Sequence, residues 1–349
     1  MKKNFMIENR KIGPGYPTFI VAEISGNHNQ SYKKALQIIN ATIAAGVDAV
    51  KMQTYTADTI TIDSDKKWFQ IINGPWKGQN LYQLYKTAYT PWNWQAKLKK
   101  YAEEKGVIFF SSAFDETSVD FLQSLKVKAY KVASFEIVDI GLLEKIGKTR
   151  KPVIISRGMA SLDEIKLAIK TLYHNGTPQV AILHCVSEYP ADPKDMNLST
   201  IPDMAKRFKV VTGLSDHTIG IATSIAAVAM GASIIEKHVT IKRSEGGPDA
   251  AFSLEPKELS DLVKAVREVE QSFGKPSYRP ARNEAKNKVF RRSLFVVNDM
   301  KKGEKFSNTN VKSIRPGYGL ATKDLKAVLG RVALKDIEKG TPLSWKLIK

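Results

Sequence analysis

Two lysines, two histidines, three carboxylates and a series of hydroxyls stand where their spacing could do chemistry. Lys51 lies near the end of an apolar run with Gln53 two residues on, and Lys131 is followed by Ser134 and Glu136. Residues two apart in an extended chain share a face, so Lys51 and Gln53 project together, as do Glu236 and His238. Ser112, Ser156, Ser187, Tyr189 and Ser215 also end or follow apolar runs. Ammonium groups among hydroxyls describe an anion site, because charge-assisted donors bond phosphate oxygens strongly. The expected ligand is a small phosphate ester. His217 and His238 offer two imidazoles, which suit an open, exchangeable divalent-metal site completed by water, carboxylate or substrate. Glu23, Glu136 and Asp249 are the candidates for acid-base work. Singly each residue has an ordinary reading: a buried strand-end lysine is often a structural ion-pair member, and a lone histidine is more often a satisfied core residue than a ligand. Their collection at the ends of successive runs favours a site. No GxxxxGK[ST] phosphate loop and no GxSxG elbow occurs, which argues against a P-loop enzyme and an α/β-hydrolase.

The runs that carry these residues must position them. Eight are apolar and β-branched, at 18–24, 49–55, 107–113, 129–134, 152–158, 180–186, 210–216 and 233–240, with amphipathic helical periodicity between them. Strand–helix alternation implies parallel strands, and eight units fit a closed (β/α)8 TIM barrel in an α/β chain better than an open sheet. The active face of such a barrel lies at the C-terminal ends of its strands. A long insertion from Thr56 to about Pro91, rich in Trp, Tyr and Gly, is a candidate lid or specificity loop over that face. The expected domains are a catalytic barrel over 1–274, a linker over 275–292 and a small β-rich domain over 293–349. Within the last, the stretch from Asp299 to Ser307 echoes that from Asp336 to Ser344, which predicts two related half-units. So small a tail buries little core and is expected to pack against something else.

Composition narrows the class. A net charge of +19 raises nucleic acid as a partner, but the densest basic segment, Lys275 to Arg292, reads as a linker, so no nucleic-acid binding is expected. One cysteine, Cys185, rules out an intrachain disulfide framework and a multi-cysteine zinc site. No run reaches the roughly 18 to 20 apolar residues that span a bilayer, and the start lacks a secretory pattern. The expectation is a cytoplasmic protein with no membrane partner.

Read as motifs, AEISGNH, KMQTY, YKVASFE, IISRGM, LHCVSEYP, GLSDHT, EKHVT and GGPDAAFSLEP resemble the sialic acid synthase family over essentially the whole chain. SIRPGYGL falls in a tail similar to that family's antifreeze-like (SAF, β-clip) domain. KMQTYTADTIT, NLYQLYKTAYTPWNW and FFSSAFD look like the pseudaminic acid synthase branch. The resemblance implies a transferase that condenses phosphoenolpyruvate with an N-acetylated amino sugar. It also implies a divalent cation (Mn2+, Mg2+ or Co2+) and a domain-swapped homodimer. Carried over by position, Lys51, Ser112, Lys131, Ser134, Ser156 and Ser215 fall where the family binds phosphoenolpyruvate, and His217 and His238 at its metal ligands. Gln53, Glu136, Tyr189, Asp249 and a partner's Arg315 fall at acceptor contacts, and Glu23 at a glutamate of acid-base or metal-water type.

Departures accompany the match. Gln30 replaces a usual glycine, Ala113 a proline, Arg157 a threonine and Ala250 a serine, while Ser187 stands where sialic acid synthases have an asparagine. The acceptor therefore stays open between a diacetamido-trideoxy altrose, the corresponding mannose and N-acetylmannosamine. A Schiff-base aldolase using Lys51 or Lys131, and an ice- or nucleic-acid-binding tail, are the rival readings from other classes.

Overall fold

A computed structural model describes residues 5–349, in two compact units, one ending at Gly274 and the other beginning at Lys275.

The first unit opens with a hairpin of β1 (Phe5–Ile7) and β2 (Arg10–Ile12). Eight parallel strands then close a barrel: β3 (Phe19–Glu23), β4 (Ala49–Thr54), β5 (Ile108–Ala113), β6 (Tyr130–Val132), β7 (Val153–Ser156), β8 (Val180–Cys185), β9 (Val211–Asp216) and β10 (Ile234–His238). All eight expected strands form, each within the run that the sequence marks. These strands are buried along nearly their whole length, with only Gln53 and Ile108 half-buried, because helices cover the outside and side chains fill the inside. One inner cluster joins Phe19, Val21, Phe110, Leu183 and Ile234 to the hairpin residues Phe5, Ile7 and Ile12, so the hairpin plugs the N-terminal end. Further along the same strands the buried residues turn polar. Space in the barrel is tight at Gly213, where a Cβ would come 2.2 Å from the Ile234 carbonyl oxygen.

Outside, α1 (Tyr32–Ala45), α4 (Trp92–Glu104), α9 (Ala222–Ala229) and α10 (Pro256–Ser272) pack on one arc of the barrel. The opposite arc is covered by α5 (Glu116–Ser124), α6 (Ile140–Lys148), α7 (Leu162–His174) and α8 (Thr200–Phe208). Their starts are chemically set: Ser31 caps α1 by accepting from Lys34 N, and Ser161 with Glu164 forms a capping box on α7. Truncating a fully buried residue such as Phe109 to Ala would cost about 3–5 kcal/mol.

The insertion after β4 carries two short helices, α2 (Ala57–Ile60) and α3 (Leu81–Ala88). Between them the chain is pinned back on itself by Ile71 N to Gln79 O at 2.9 Å and Gly78 N to Ile71 O at 2.8 Å.

In the second unit β11 (Ser293–Val296) pairs antiparallel with β12 (Val311–Ile314) over a core that includes Leu294, Phe306, Val328 and Leu343. The sequence repeat becomes an approximate two-fold. Asp299 Oδ1 accepts from Lys339 N at 2.7 Å, and its counterpart Asp336 Oδ1 accepts from Lys302 N at 2.8 Å. Met300 and its counterpart Ile337 exchange both backbone hydrogen bonds. Gly303 and Gly340 each turn at positive φ, +84° and +87°. Residues 275–292 belong to this unit and are largely exposed, with a 3₁₀ stretch over Glu284–Phe290.

Candidate active site

The strand ends of β4, β5, β6 and β7 place two lysines over the barrel axis. Lys51 Nζ donates to Ser112 Oγ at 3.0 Å and lies 2.5 Å from Glu23 Oε2. Lys131 Nζ donates to Ser156 Oγ at 2.7 Å and to the Val132 carbonyl at 3.2 Å. Glu236 sits between the two ammonium groups, its Oε1 3.6 Å from Lys51 and 3.7 Å from Lys131, and accepts from Ser215 Oγ at 3.2 Å. These lysines are 3% and 2% exposed, so the charges are held inside the protein and not on its surface. The cluster is incompletely satisfied: Glu23 Oε1 and Glu236 Oε2 have no hydrogen-bond partner. Buried polar atoms left this way point to a ligand or ordered water. Burial lifts Glu23 to about 7 against the pull of Lys51. Burial lowers Lys131, with Glu236 opposing.

One side of this floor carries the imidazoles. His217 Nδ1 bonds the Val186 carbonyl at 2.8 Å, an arrangement that fixes the proton there and leaves Nε2 free as a donor of its lone pair. The His238 ring stands 5.4 Å from that of His217, its Nδ1 is without a hydrogen bond, and Asp249 Oδ2 is 3.5 Å away. Burial first, then the nearby cations, push His238 far toward the neutral form that a metal needs. Among the described residues no group of three or more His, Cys, Asp or Glu side chains converges as a metal cage. The two imidazoles, one orphaned and one oriented by a carbonyl, fit a cation whose shell is completed by substrate or water. Behind them the strands are clamped on their outer face by a second buried ion pair, Lys237 Nζ to Asp216 Oδ2 at 3.0 Å, with Ser224 and Thr218 satisfying the same carboxylate.

Above the floor opens a cavity of about 480 Å³. Its rim presents Gln53 from β4, Glu136 from the 3₁₀ turn after β6, Tyr189 from the loop after β8, and Asp249. Burial raises Glu136 to about 7, and its Oε2 is unpartnered. Asp249 accepts from Ser25 Oγ, and burial raises its pKa. The cavity thus joins an anion floor, two imidazoles and a polar rim, the parts needed to hold a phosphate ester beside an oxygen-rich second substrate.

A profile comparison matches residues 38–278 to the NeuB family and residues 291–349 to the SAF domain. The chain belongs to the NeuB family. Similar to it are the pseudaminic acid synthase of Campylobacter jejuni subsp. jejuni, 42% identical over 325 residues (93% of this chain, 95% of that one), and the pseudaminic acid synthase of Helicobacter pylori, 40% identical over 330 residues (94% and 97%). A similar solved structure is the N-acetylneuraminic acid synthetase of Leptospira borgpetersenii in complex with citrate, with a TM-score of 0.73 and 33% identity, covering 82% of this chain and 95% of that one.

In this NeuB-family barrel, twelve of the residues singled out from the sequence line the cavity, from Lys51 on the floor to Asp249 on the rim. Glu23 lies beneath them, paired with Lys51. Ser187 stands behind the wall, its Oγ 2.7 Å from Ser134 Oγ. Gly158 makes this packing possible, since a Cβ there would meet Ser134 Cβ at 2.4 Å, and its φ is +43°. Arg315 follows β12 in the second unit and is exposed. Two departures have structural accounts. Gln30 adopts a φ of +56°, where glycine is at ease, and its Nε2 donates to the carbonyls of Thr87 and Tyr89, tying down the insertion. Arg157 is half-buried and donates through Nε to His184 Nδ1 at 3.0 Å. His28 is structural: its ring bonds Thr90 Oγ1 and packs edge-on against Trp94.

Sequence reasoning assigned no role to Glu236, although its two-residue spacing from His238 placed it on the same face. Trp76, Tyr55 and Tyr85 also line the cavity: Tyr55 continues the alternation of Lys51 and Gln53, Tyr85 shares a helical face with Leu81, Leu84 and Ala88, and no periodicity marks Trp76.

Proposed function

We propose that the chain is a pseudaminic acid synthase, which condenses phosphoenolpyruvate with 2,4-diacetamido-2,4,6-trideoxy-L-altrose and releases phosphate. The observation that carries this reading is the pair of buried lysines, each with its own serine, beside two imidazoles in a barrel similar to two synthases of that name. Lys51, Ser112, Lys131, Ser134, Ser156 and Ser215 would hold phosphoenolpyruvate, with Ser187 supporting Ser134. Gln53, Glu136, Tyr189 and Asp249 would hold the sugar.

In the reaction, carbon 3 of phosphoenolpyruvate attacks the aldehyde carbon of the open-chain sugar. The aldehyde oxygen gains a proton, and water adds at carbon 2 and loses one. The hydroxyl so formed gives up its remaining proton as it becomes the carbonyl and the bond between carbon 2 and the bridging oxygen breaks, so phosphate departs with that oxygen, the bond pair and a proton. Glu23 and Glu136, both lifted to about 7, are suited to deliver one proton and accept the other near neutrality. Lys51 and Lys131 stabilise the departing phosphate from fixed positions. His217 and His238 would hold a divalent cation (Mn2+, Mg2+ or Co2+), which supplies Lewis acidity to an oxygen of the sugar.

The dimer belongs to the same proposal. The loops after β6, β7 and β9 expose Phe135 (57%), Met159 (62%) and Ile219 (70%) around the mouth, an apolar rim suited to a covering surface. The covering element we infer is the SAF domain of a second copy, bringing the partner's Arg315 to the sugar. The same proposal puts the protein in the cytoplasm, because phosphoenolpyruvate is made there. Among the described residues no helix is long and apolar enough to cross a membrane. The test is incubation with phosphoenolpyruvate, Mn2+ and a panel of 6-deoxy diacetamido hexoses and N-acetylmannosamine, following phosphate release. Release with N-acetylmannosamine alone would move the assignment to a sialic acid synthase.

A further inference from the structure

The cavity has two unlike walls. The loops after β6, β8, β9 and β10 bring it Glu136, Tyr189, His217 and Asp249, whereas the insertion after β4 brings Ile60, Ile71, Trp76, Leu81, Leu84 and Tyr85. No charged side chain of the insertion reaches the cavity. The indole N–H of Trp76 is spent on the Pro248 carbonyl at 2.7 Å, so its ring offers carbon alone, and that ring stands 5.5 Å from that of Tyr189. The wall is fixed as well as apolar. Ile60 ends a helix begun by the reciprocal Thr56 and Thr59 capping box, and Ile71 is held by its two backbone bonds to Gln79 and Gly78.

A sugar placed between these walls turns its hydroxyls toward the carboxylates. Apart from the Tyr85 hydroxyl, whatever faces the insertion meets aliphatic and aromatic carbon, and Ile60, Ile71 and Leu81 offer no polar atom. A hydroxymethyl group against those aliphatics would lose its water without gaining a partner, whereas a methyl group would bury favourably.

We propose that the insertion wall, with Ile60 and Ile71 as its aliphatic contacts, is the specificity determinant that selects an acceptor whose carbon 6 is a methyl group over one whose carbon 6 carries a hydroxyl. The inference rests on the acceptor-sugar reading of this site and adds which group of the sugar is read, and by which residues. Apolar pockets reject an added hydroxyl by no more than about a hundredfold. The expected preference is therefore about 10- to 100-fold.

The experiment compares two acceptors that differ only at carbon 6, a 2,4-diacetamido-2,4,6-trideoxy hexose and its 6-hydroxy counterpart, on full-length protein with Mn2+ and phosphoenolpyruvate. The readouts are kcat/KM from phosphate release, and Kd by calorimetry with Mn2+ present and phosphoenolpyruvate omitted. The wild type should favour the methyl sugar, and Ile71→Asn should reduce the ratio by about tenfold by giving the hydroxyl a partner. Ile60→Asn, on a separate element, should move the ratio the same way, and melting curves report that each variant is folded. A wild-type ratio near one, or a ratio that neither folded variant changes, would overturn the proposal. Discrimination in Kd without any phosphate release would uphold the wall and instead sink the synthase reading.

Discussion

Lys51 Nζ stands 2.5 Å from Glu23 Oε2 across the adjoining strands β3 and β4, and both side chains are sealed from water. Lys131 has no such close partner, its nearest carboxylate oxygen being that of Glu236 at 3.7 Å. The two lysines should therefore respond differently to removal. Lys51→Ala strands a buried carboxylate and should destabilise the fold by about 3–5 kcal/mol. Lys131→Ala should destabilise less. Both should raise the apparent KM for phosphoenolpyruvate and lower turnover, roughly ten- to a hundredfold, for one lost charge-assisted bond of about 1.5–3 kcal/mol. Denaturant titration and phosphate-release kinetics on the two variants check the split, and movement of the sugar kinetics alone would mean the subsites are reversed.

The imidazoles should matter for metal first. His217→Ala and His238→Ala each remove one of the two proposed ligands, so Mn2+ affinity measured by electron paramagnetic resonance should fall by at least about tenfold while the melting temperature of the metal-free protein holds. Wild-type Mn2+ affinity in either variant contradicts the assignment.

The pair behind them is structural. Asp216→Asn leaves the Lys237 ammonium buried without its counter-charge and should cost about 3–5 kcal/mol. Pairing it with Lys237→Met should recover most of that loss in denaturant titration. Equal stability of the single and double variants would show that the ion pair is not what holds these strands.

Glu136, with Glu23, supplies pH dependence. The folded Glu136 value of about 7 lies above the ordinary glutamate value of 4.5, so between these two pH values the folded chain binds more protons than the unfolded one. Its contribution is full below about 4.5 and is lost as pH rises through about 7. Glu136→Gln should flatten the fall in unfolding free energy across that window, compared with wild type in matched titrations.

Much of the barrel was legible because its strands are unbroken apolar runs that switch to polar residues at one end, as where Phe110 leads to Ser112 or Ile154 to Ser156. The floor could be read from that switch. The insertion could not, because Ile71 and Trp76 reach the cavity through a turn pinned by Gly78 and Gln79, and no period encodes such a path. Glu236 was visible on the face of His238, but its place between two lysines depends on strands far apart in sequence. The repeat of the tail was legible as a repeat, while the exchange of Asp299 and Asp336 between its halves needed the fold.

The proposed domain swap predicts rescue. Arg315→Ala and Lys131→Ala, each impaired alone, should regain part of the wild-type activity when mixed and allowed to exchange subunits. A mixed dimer would combine one intact barrel with the partner's Arg315. No recovery after verified exchange would place the tail on its own barrel.

The central claim is condensation with cleavage between carbon 2 and the bridging oxygen. Phosphoenolpyruvate labelled with 18O at that oxygen, turned over with Mn2+ and 2,4-diacetamido-2,4,6-trideoxy-L-altrose, should put the label in the released phosphate, read by mass spectrometry or by the isotope shift in the phosphorus spectrum. Label retained in the nine-carbon product, or no phosphate released at all, would contradict it.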